Sequence, residues 1–164
     1  MATHIGKSHS NNFQLILPVL PTKDDISDIK MLRLNILDTI LPSISINAIT
    51  HEWMGGAINS EGGGIDYGEW TTTFQIDDGF ENYIILYDWI MYIFDGYKRN
   101  GREFGDYEVS ADLVVYDNFN SVATSFEFRK IWPSALSDVT LSYSAGSDIL
   151  SCNVTFMYDL FVKK

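Results

Sequence analysis

Residues 69–90 read Glu69-Trp-Thr-Thr-Thr-Phe-Gln-Ile-Asp-Asp-Gly-Phe-Glu-Asn-Tyr-Ile-Ile-Leu-Tyr-Asp-Trp-Ile90 and place a strand directly before a long apolar helix. Large apolar side chains alternate with threonine and glutamine over residues 70–76, which is typical of a half-buried strand. Asp78 and Glu81 follow with the spacing of a capping box, which marks the start of a helix. The sequence therefore predicts one helix over residues 79–95.

The predicted helix is apolar almost all the way round. One broad stripe, expected to face the subunit's own core, consists of Phe80, Tyr83, Ile84, Tyr87, Ile90, Met91 and Phe94. Ile85, Trp89 and Ile93 fall outside this stripe. Because a helix that is apolar on both sides must be covered on both, we expect Ile85, Trp89 and Ile93 to contact a neighbouring subunit.

The rest of the chain has the period-two pattern of strands. Alternating segments predict strands at 13–17, 32–36, 45–53, 70–76, 109–115 and 122–128. The Trp132-Pro133 pair is expected to stop the strand that enters it, and segments 139–143 and 149–162 to form a final hairpin. The fold class is therefore mainly β: an antiparallel sandwich or barrel with one helix packed on its side.

At 164 residues the chain has the length of a single domain, 1–164. Its hydrophobic content of 46% and aromatic content of 14% exclude a disordered polypeptide. The polar residues 1–12 are predicted to form a flexible arm, and the glycine-rich residues 54–68 a loop or hairpin arm. Segments 18–30 and 100–106 are predicted to be polar loops.

A net charge of −11 argues against broad affinity for nucleic-acid phosphates, which bind clustered Lys and Arg. The same charge suits either simple solubility or a surface that repels DNA. The lone Cys152 lies within a predicted strand and is expected to be a small core side chain. Residues 1–12 lack an apolar signal region, and residues 80–94 are too short to span a bilayer, so no membrane partner is expected.

No catalytic or metal-binding constellation is visible in the sequence. His4, His9 and His51 do not fall at ligand spacing, and glycines 62–64 lack the Lys-Ser/Thr that follows them in a phosphate-binding loop. We therefore expect no enzymatic activity, no metal and no cofactor. The four tryptophans would line a sugar-binding face only if they were exposed and clustered, whereas Trp more often packs in cores and interfaces.

Seven short motifs, taken in order, resemble the tail tube proteins of contractile-tailed bacteriophages over about residues 12–161. They are Asn12-Phe-Gln-Leu, Ile40-Leu-Pro-Ser-Ile, Trp53-Met-Gly-Gly-Ala-Ile-Asn, Glu69-Trp-Thr-Thr-Thr-Phe, Tyr87-Asp-Trp-Ile, Ile131-Trp-Pro-Ser-Ala-Leu and Val154-Thr-Phe-Met-Tyr-Asp. The Ile131 motif is the most specific of them. The resemblance implies a fold in which one helix packs on a β-sandwich or barrel.

The resemblance also implies a function and its partners. Six copies would form a ring, and stacked rings would form the inner tail tube through which DNA passes without specific binding. The implied partners are the tail sheath protein, the baseplate and the tail-terminator proteins. The implied location is the tail of the virion, after assembly in the host cytoplasm.

Within such a tube, Gly62, Gly63 and Gly64 are expected to lie in an arm that contacts an adjacent ring or subunit. Glu108, Asp112 and Glu127 are expected to face the lumen, where carboxylates would keep DNA phosphates from binding. Two alternatives stay open: a baseplate tube-initiator or tail-end protein of the same fold, and, in another class, a β-sandwich carbohydrate-binding module.

Overall fold

A computed structural model describes residues 13–17, 35–95, 100–101, 107–142 and 149–164. The predicted arm 1–12, the loop 18–30 and most of the loop 100–106 lie outside the described residues. The strands are β1 (Phe13–Ile16), β2 (Asn35–Thr39), β3 (Ile44–Trp53), β4 (Gly56–Tyr67), β5 (Trp70–Gln75), β6 (Phe94–Asp95), β7 (Asn100–Gly101), β8 (Val109–Tyr116), β9 (Val122–Leu136), β10 (Ser151–Met157) and β11 (Leu160–Lys163); the helix is α1 (Glu81–Ile93). The predicted class is confirmed: the described chain is mainly antiparallel β with one helix.

The long strand β9 joins two halves of the main sheet. The strand order is β1-β8-β9-β10-β5-β2, and β11 also pairs with β9. The first half of β9 pairs with β8 and β11, and its second half pairs with β10. Between the halves, Arg129 and Lys130 fall outside the ladder with β8, and Lys130 has a left-handed φ of 55°. An irregularity of this kind bends a strand and increases its twist.

Trp70 of β5 connects the two halves at the centre of the core. Its fully buried ring stacks on Phe128 of β9, with centroids 4.1 Å apart and planes 3° from parallel. Its Nε1–H donates to Oγ1 of Thr39 over 2.8 Å, so the buried N–H has a partner. The halves therefore face each other in a sandwich-like arrangement. Because β1 and β2 stand at opposite ends of the order, the described sheet does not close into a barrel.

The buried face of α1 differs from the predicted one. Asn82, Leu86 and Trp89 are buried, whereas the outward face exposes Ile84, Tyr87 and Met91. The prediction that Trp89 contacts a neighbouring subunit is wrong: it is fully buried, and its Nε1–H donates to the carbonyl of Tyr107 over 3.0 Å.

Ile85 and Ile93, also predicted to contact a neighbour, are partly buried against the subunit's own core. The hydrophobic pattern did not identify this face as the buried one, because the polar residue Asn82 lies on it. Its amide donates to the carbonyl of Gln75 over 2.7 Å and its Oδ1 accepts from the N–H of Asp77 over 3.3 Å. These bonds let a buried asparagine pack at the start of the helix without an unsatisfied group.

The ends of α1 also differ from the prediction. The predicted capping box does not form, because the N-cap residue is Phe80, with φ 56° and no side-chain capping bond. The helix ends at Ile93 because Phe94 is extended and opens the short β6–β7 pair. The observed helix is therefore shorter at both ends than residues 79–95.

Two strand predictions near the C-terminal end were wrong. Strand β9 continues through Trp132 and Pro133, and Pro133 pairs with Phe156 beside a register shift between β9 and β10, where Ser134 of β9 is the extra residue. Such an irregularity accommodates a residue without an N–H. Residues 139–142 form no strand, and β10 pairs with β9 and β5 instead of a preceding hairpin strand.

Trp89→Ala is expected to lower the free energy of unfolding of the isolated subunit by about 3–5 kcal/mol, because it removes a fully buried indole. Chemical denaturation followed by circular dichroism measures this loss. The matched control is Tyr87→Ala on the outward face of the same helix, expected to cost about 0.5 kcal/mol or less. Equal losses for the two variants would contradict the observed orientation of the helix.

Tyr158→Phe is expected to reduce the loss of folding stability that the wild type shows as the pH rises above 10. Burial and the nearby Tyr67 raise the pKa of Tyr158 from 10.0 to about 12, and its hydroxyl donates to the carbonyl of Gly68 over 2.8 Å. Between these pH values the unfolded phenol ionises and the folded one does not, so stability falls as pH rises. Solvent screening of this partly exposed ring reduces the effect to about 1 kcal/mol.

Denaturation curves at pH 9 to 12 would give the free energy of unfolding of the wild type and of Tyr158→Phe. Ionisation of the other tyrosines cancels in the difference between these two free energies. A variant that loses stability over this range as steeply as the wild type would show that Tyr158 does not contribute.

Candidate functional site

Strands β3 and β4 form a long two-stranded hairpin, which we call the arm. Every residue of β3 is exposed, and in the described part of the chain these two strands pair only with each other. The predicted loop or hairpin segment 54–68 corresponds to the turn at Met54–Gly55 and to strand β4. A hairpin of this kind is marginally stable alone in water, and among the described strands the arm is the longest pair that stands outside the main sheet.

The three glycines named in the sequence analysis lie together in β4, opposite Asn47, where the ladder is irregular. A Cβ on Gly62 would collide with the carbonyl of Asn47, 2.9 Å from its carbon atom, whereas a Cβ on Gly63 or Gly64 would meet open space. The missing side chains leave a shallow open depression of about 630 Å³ bordered by Ile46, Glu61 and Ile65. Gly62 is thus required for close approach of the strands, and its neighbours are not.

The arm exposes an unusual number of large apolar side chains. They are Ile44, Ile46, Ile49, Trp53, Met54, Ile58 and Ile65. Contiguous exposed apolar surface on a soluble domain marks an interaction site. The outward face of α1, with Ile84, Tyr87 and Met91, is a second surface of this type.

Charge is distributed unevenly along the chain. Residues 34–95, which include the arm and α1, contain ten Asp and Glu and no Lys or Arg. In the described ranges, Lys and Arg occur only on β9 and at the C-terminal end, as Arg129, Lys130, Lys163 and Lys164. The arm is therefore acidic, and the cations lie on another part of the body.

Asp112 and Glu127, two of the three predicted lumenal residues, are brought together as a cross-strand pair of β8 and β9. Lys164 Nζ lies 2.8 Å from Asp112 Oδ1 and 3.8 Å from Glu127 Oε2, and Arg129 lies 3.3 Å from Glu127. The hydrogen bond to Asp112 raises the pKa of Lys164. This face of the sheet thus has balanced charges, although exposed pairs like these add little stability.

Glu108, the third predicted residue, is found in a different cluster. It precedes β8, and its Oε1 is buried without a hydrogen-bond partner in the described structure. A hydrogen bond to Asp159, the charge of that carboxylate and the charge of Glu108 raise the pKa of Lys130. Glu108 therefore lies near the bend of β9. Lys164, the partner of Asp112, is 52 residues away in the chain, and no sequence pattern predicts this pair.

The described side chains bear on three other kinds of site: a metal site, a membrane span and a carbohydrate-binding face. Among the described residues, no group of three His, Cys, Asp or Glu is placed to hold a metal ion. The helix found in this part of the chain is too short to cross a lipid bilayer. Trp70 and Trp89 are buried, Trp132 is half-buried and Trp53 is exposed on the arm, so the indoles do not form the exposed cluster that a carbohydrate-binding face requires.

Comparisons with known proteins agree with this architecture. Among solved structures, the chain is similar to the cap that terminates the tube of the anti-feeding prophage, with a TM-score of 0.73 and 13% identity over 100% of this chain and 94% of that one. It is also similar to a chain of the sheath–tube complex of an extracellular contractile injection system, with a TM-score of 0.69 and 12% identity over 100% and 98%. A third likeness is to Hcp1 from an E. coli pathovar, with a TM-score of 0.57 and 11% identity over 93% and 89%.

These identities show a shared fold and no more. No curated protein sequence matches the chain significantly. A family model described as phage tail tube protein matches residues 8–164. Because that model covers nearly the whole sequence, the chain belongs to the phage tail tube protein family.

Proposed function

We propose that six copies of this chain form a ring and that stacked rings build the inner tube of a contractile phage tail. The chain belongs to the phage tail tube protein family, and it shares its fold with chains of contractile injection systems. The observation that carries the finer proposal is the arm, an apolar hairpin that stands outside the sheet and pairs only with itself in the described structure. An element of this kind is stable when another copy covers it.

The open sheet supports ring formation. Strands β1 and β2 end the order of the main sheet, and each leaves one backbone edge free in the described structure. Such edges attract further strands unless they are covered. Closure of six copies around a symmetry axis would cover the edges in one step, and head-to-tail stacking would extend the ring into a filament.

The outward face of α1 takes over the role that the sequence analysis gave to Trp89. Ile84, Tyr87 and Met91 are exposed along one side of the helix, and Asp88 lies among them. We assign this face to contact with a neighbouring subunit of the tail. The sheath, the baseplate and the terminator are the further partners of the tube. The tube is part of the virion tail and is assembled in the host cytoplasm.

The paired charges on β8 and β9 suit a lumenal wall. Asp112 and Glu127 are matched by Lys164 and Arg129, so this face has few cations free to bind phosphate. DNA would pass such a wall without being held, because retention requires neutralising contacts from Lys and Arg. Glu108, near the bend of β9, adds a negative charge beside Lys130.

A second candidate function is a ring at the end of the tube. The likeness to a tube-terminating cap covers the whole of this chain and supports this candidate. The number of copies per virion separates the two proposals, because a tube protein is present in many rings and an end protein in a single ring.

Gly62→Ala is expected to abolish tube formation while the body stays folded, because the added Cβ collides with Asn47 and distorts the arm. Electron microscopy of the purified protein reads out the assembly, and circular dichroism reads out the fold. The matched control, Gly63→Ala, has open space around its Cβ and should form rings and hollow rods like those of the wild type. Normal rods from the Gly62 variant would remove the arm from the assembly mechanism.

Asp112→Lys is expected to leave tubes intact and to slow DNA ejection at low salt. Asp112 now neutralises Lys164, and the variant would instead place two unpaired cations there, which bind phosphate. High salt should restore much of the rate, since screening weakens phosphate binding. Asp112→Asn is the control for loss of the ion pair alone, and it should slow ejection less. Ejection rates that do not depend on salt in either variant would place Asp112 outside the lumen.

A further inference from the structure

The arm joins the body through two short connections. Residues 40–43 lead from β2 into β3, and Gly68 and Glu69 lead from β4 into β5. Strands β3 and β4 pair with no other strand in the described part of the chain. A hairpin held in this way swings about a few loop residues unless side chains at its base are packed. The direction of the arm therefore depends on what its base contacts.

Tyr67, the last residue of β4, packs on the body. Its ring centroid lies 6.0 Å from that of Tyr158 and 5.6 Å from that of Phe161, at interplanar angles of 54° and 65°. Both distances are those of favourable aromatic pairs. Tyr67 is half-buried, whereas Ile44, its cross-strand partner in the arm, is exposed. Of the two residues at the base of the arm, the tyrosine is therefore the one that the body holds.

Two hydrogen bonds link the connections at the same place. The hydroxyl of Tyr158 donates to the carbonyl of Gly68 over 2.8 Å, and the N–H of Gly68 donates to the carbonyl of Ser43 over 2.9 Å. Gly68 thus links Tyr158 of the body to both connections of the arm. Pro42, in the other connection, is buried, and its ring fixes its backbone φ. Both connections are therefore restrained next to the arm.

The rings that Tyr67 contacts are continuous with the core. Phe161 stacks on Phe128 with centroids 5.4 Å apart and planes 18° from parallel, and Phe128 stacks in turn on Trp70. Tyr67 and Trp70 stand at the two ends of this row of rings and also at the two ends of the connection from β4 to β5. A swing of the arm away from Phe161 would therefore separate Tyr67 from a row whose other end is fully buried.

We propose that Tyr67 is a latch that fixes the direction of the arm in the single subunit. Its ring, in contact with Tyr158 and Phe161, keeps the arm at one angle to the body before any partner is present. The inference goes beyond the proposed tube, because it concerns how the arm is oriented and not what the arm contacts. An arm that is already oriented loses less conformational freedom when it binds, which is the advantage of preorganisation.

The latch also makes the arm depend on a distant part of the chain. Tyr158 follows β10 and Phe161 lies on β11, which is held by its pairing with β9. The Tyr158–Gly68 hydrogen bond joins residues that are 90 positions apart. The direction of the arm is therefore set only when β11 has paired with β9.

The test measures the orientation of the arm in single subunits. A donor and an acceptor dye are attached to Glu52→Cys on the arm and Asp88→Cys on α1, both at exposed positions, in protein whose buried Cys152 is replaced by alanine. Single-molecule energy transfer at picomolar concentration keeps the copies apart. The donor lifetime shows whether each molecule has one distance or samples a range, and the wild-type arm is expected to give one narrow distribution.

Tyr67→Ala is expected to widen the range of distances and to raise the unlatched fraction about ten-fold or more, because two aromatic contacts are lost. Tyr158→Phe removes only the hydrogen bond to Gly68 and is expected to raise this fraction about two- to ten-fold. Tyr67→Phe retains the ring, and Ile44→Ala removes its exposed neighbour. These two variants are the matched controls and should give the wild-type distribution.

Circular dichroism checks that the body of each variant is folded. If Tyr67→Ala keeps the narrow distribution, the connections alone hold the arm and the latch is overturned. A wild-type arm with the wide distribution overturns it as well, and so does a body that unfolds in Tyr67→Ala, because Tyr67 would then belong to the core. None of these outcomes bears on whether the protein forms tubes, which electron microscopy decides separately.

Discussion

The stacking of Trp70 on Phe128 is the contact on which the body of this protein depends. The two rings come from opposite halves of the sheet and lie 4.1 Å apart with no exposed surface. They meet because β9 bends at Lys130, whose left-handed backbone costs about 1–2 kcal/mol in a residue with a Cβ. Burial of both aromatic rings offsets this cost. The fold of the body therefore rests on one bent strand and the aromatic pair that holds it bent.

The arm and the body differ in where they place their large apolar side chains. The body buries its large side chains among themselves, whereas the arm presents apolar side chains to solvent along its full length. At Gly62–Gly64, β4 has extra residues relative to β3, and the two strands stay paired on either side of them. Of these glycines, only Gly62 is sterically required. One chain thus combines a sandwich that buries its own large side chains with a hairpin that leaves its apolar side chains exposed.

Patterning predicted the body of the fold well and its local irregularities poorly. Alternation from Trp70 to Gln75 marked a strand correctly, because tertiary packing there agrees with local sequence. The helix face was misplaced because Asn82 is buried through two backbone hydrogen bonds that hydrophobicity cannot reveal. Pro133 was expected to end a strand, yet an irregularity at the next residue of the same strand, Ser134, accommodates it. Of the candidate site, the arm followed from its glycine content and the shared face of Asp112 and Glu127 from alternation, whereas Lys164 is adjacent to them only through folding.

The separation of charge along the chain governs how fast copies can meet. Ten carboxylates without a Lys or Arg over residues 34–95 give each free subunit a strongly negative arm and helix. At low ionic strength two approaching subunits repel each other over a Debye length of about 30 Å, and at physiological salt this range shrinks to about 8 Å. If the subunits assemble as proposed, ionic strength would therefore set the rate at which they elongate a tube as well as the stability of that tube. In dilute electrolyte the mutual repulsion of the acidic segments would keep subunits unassembled for longer.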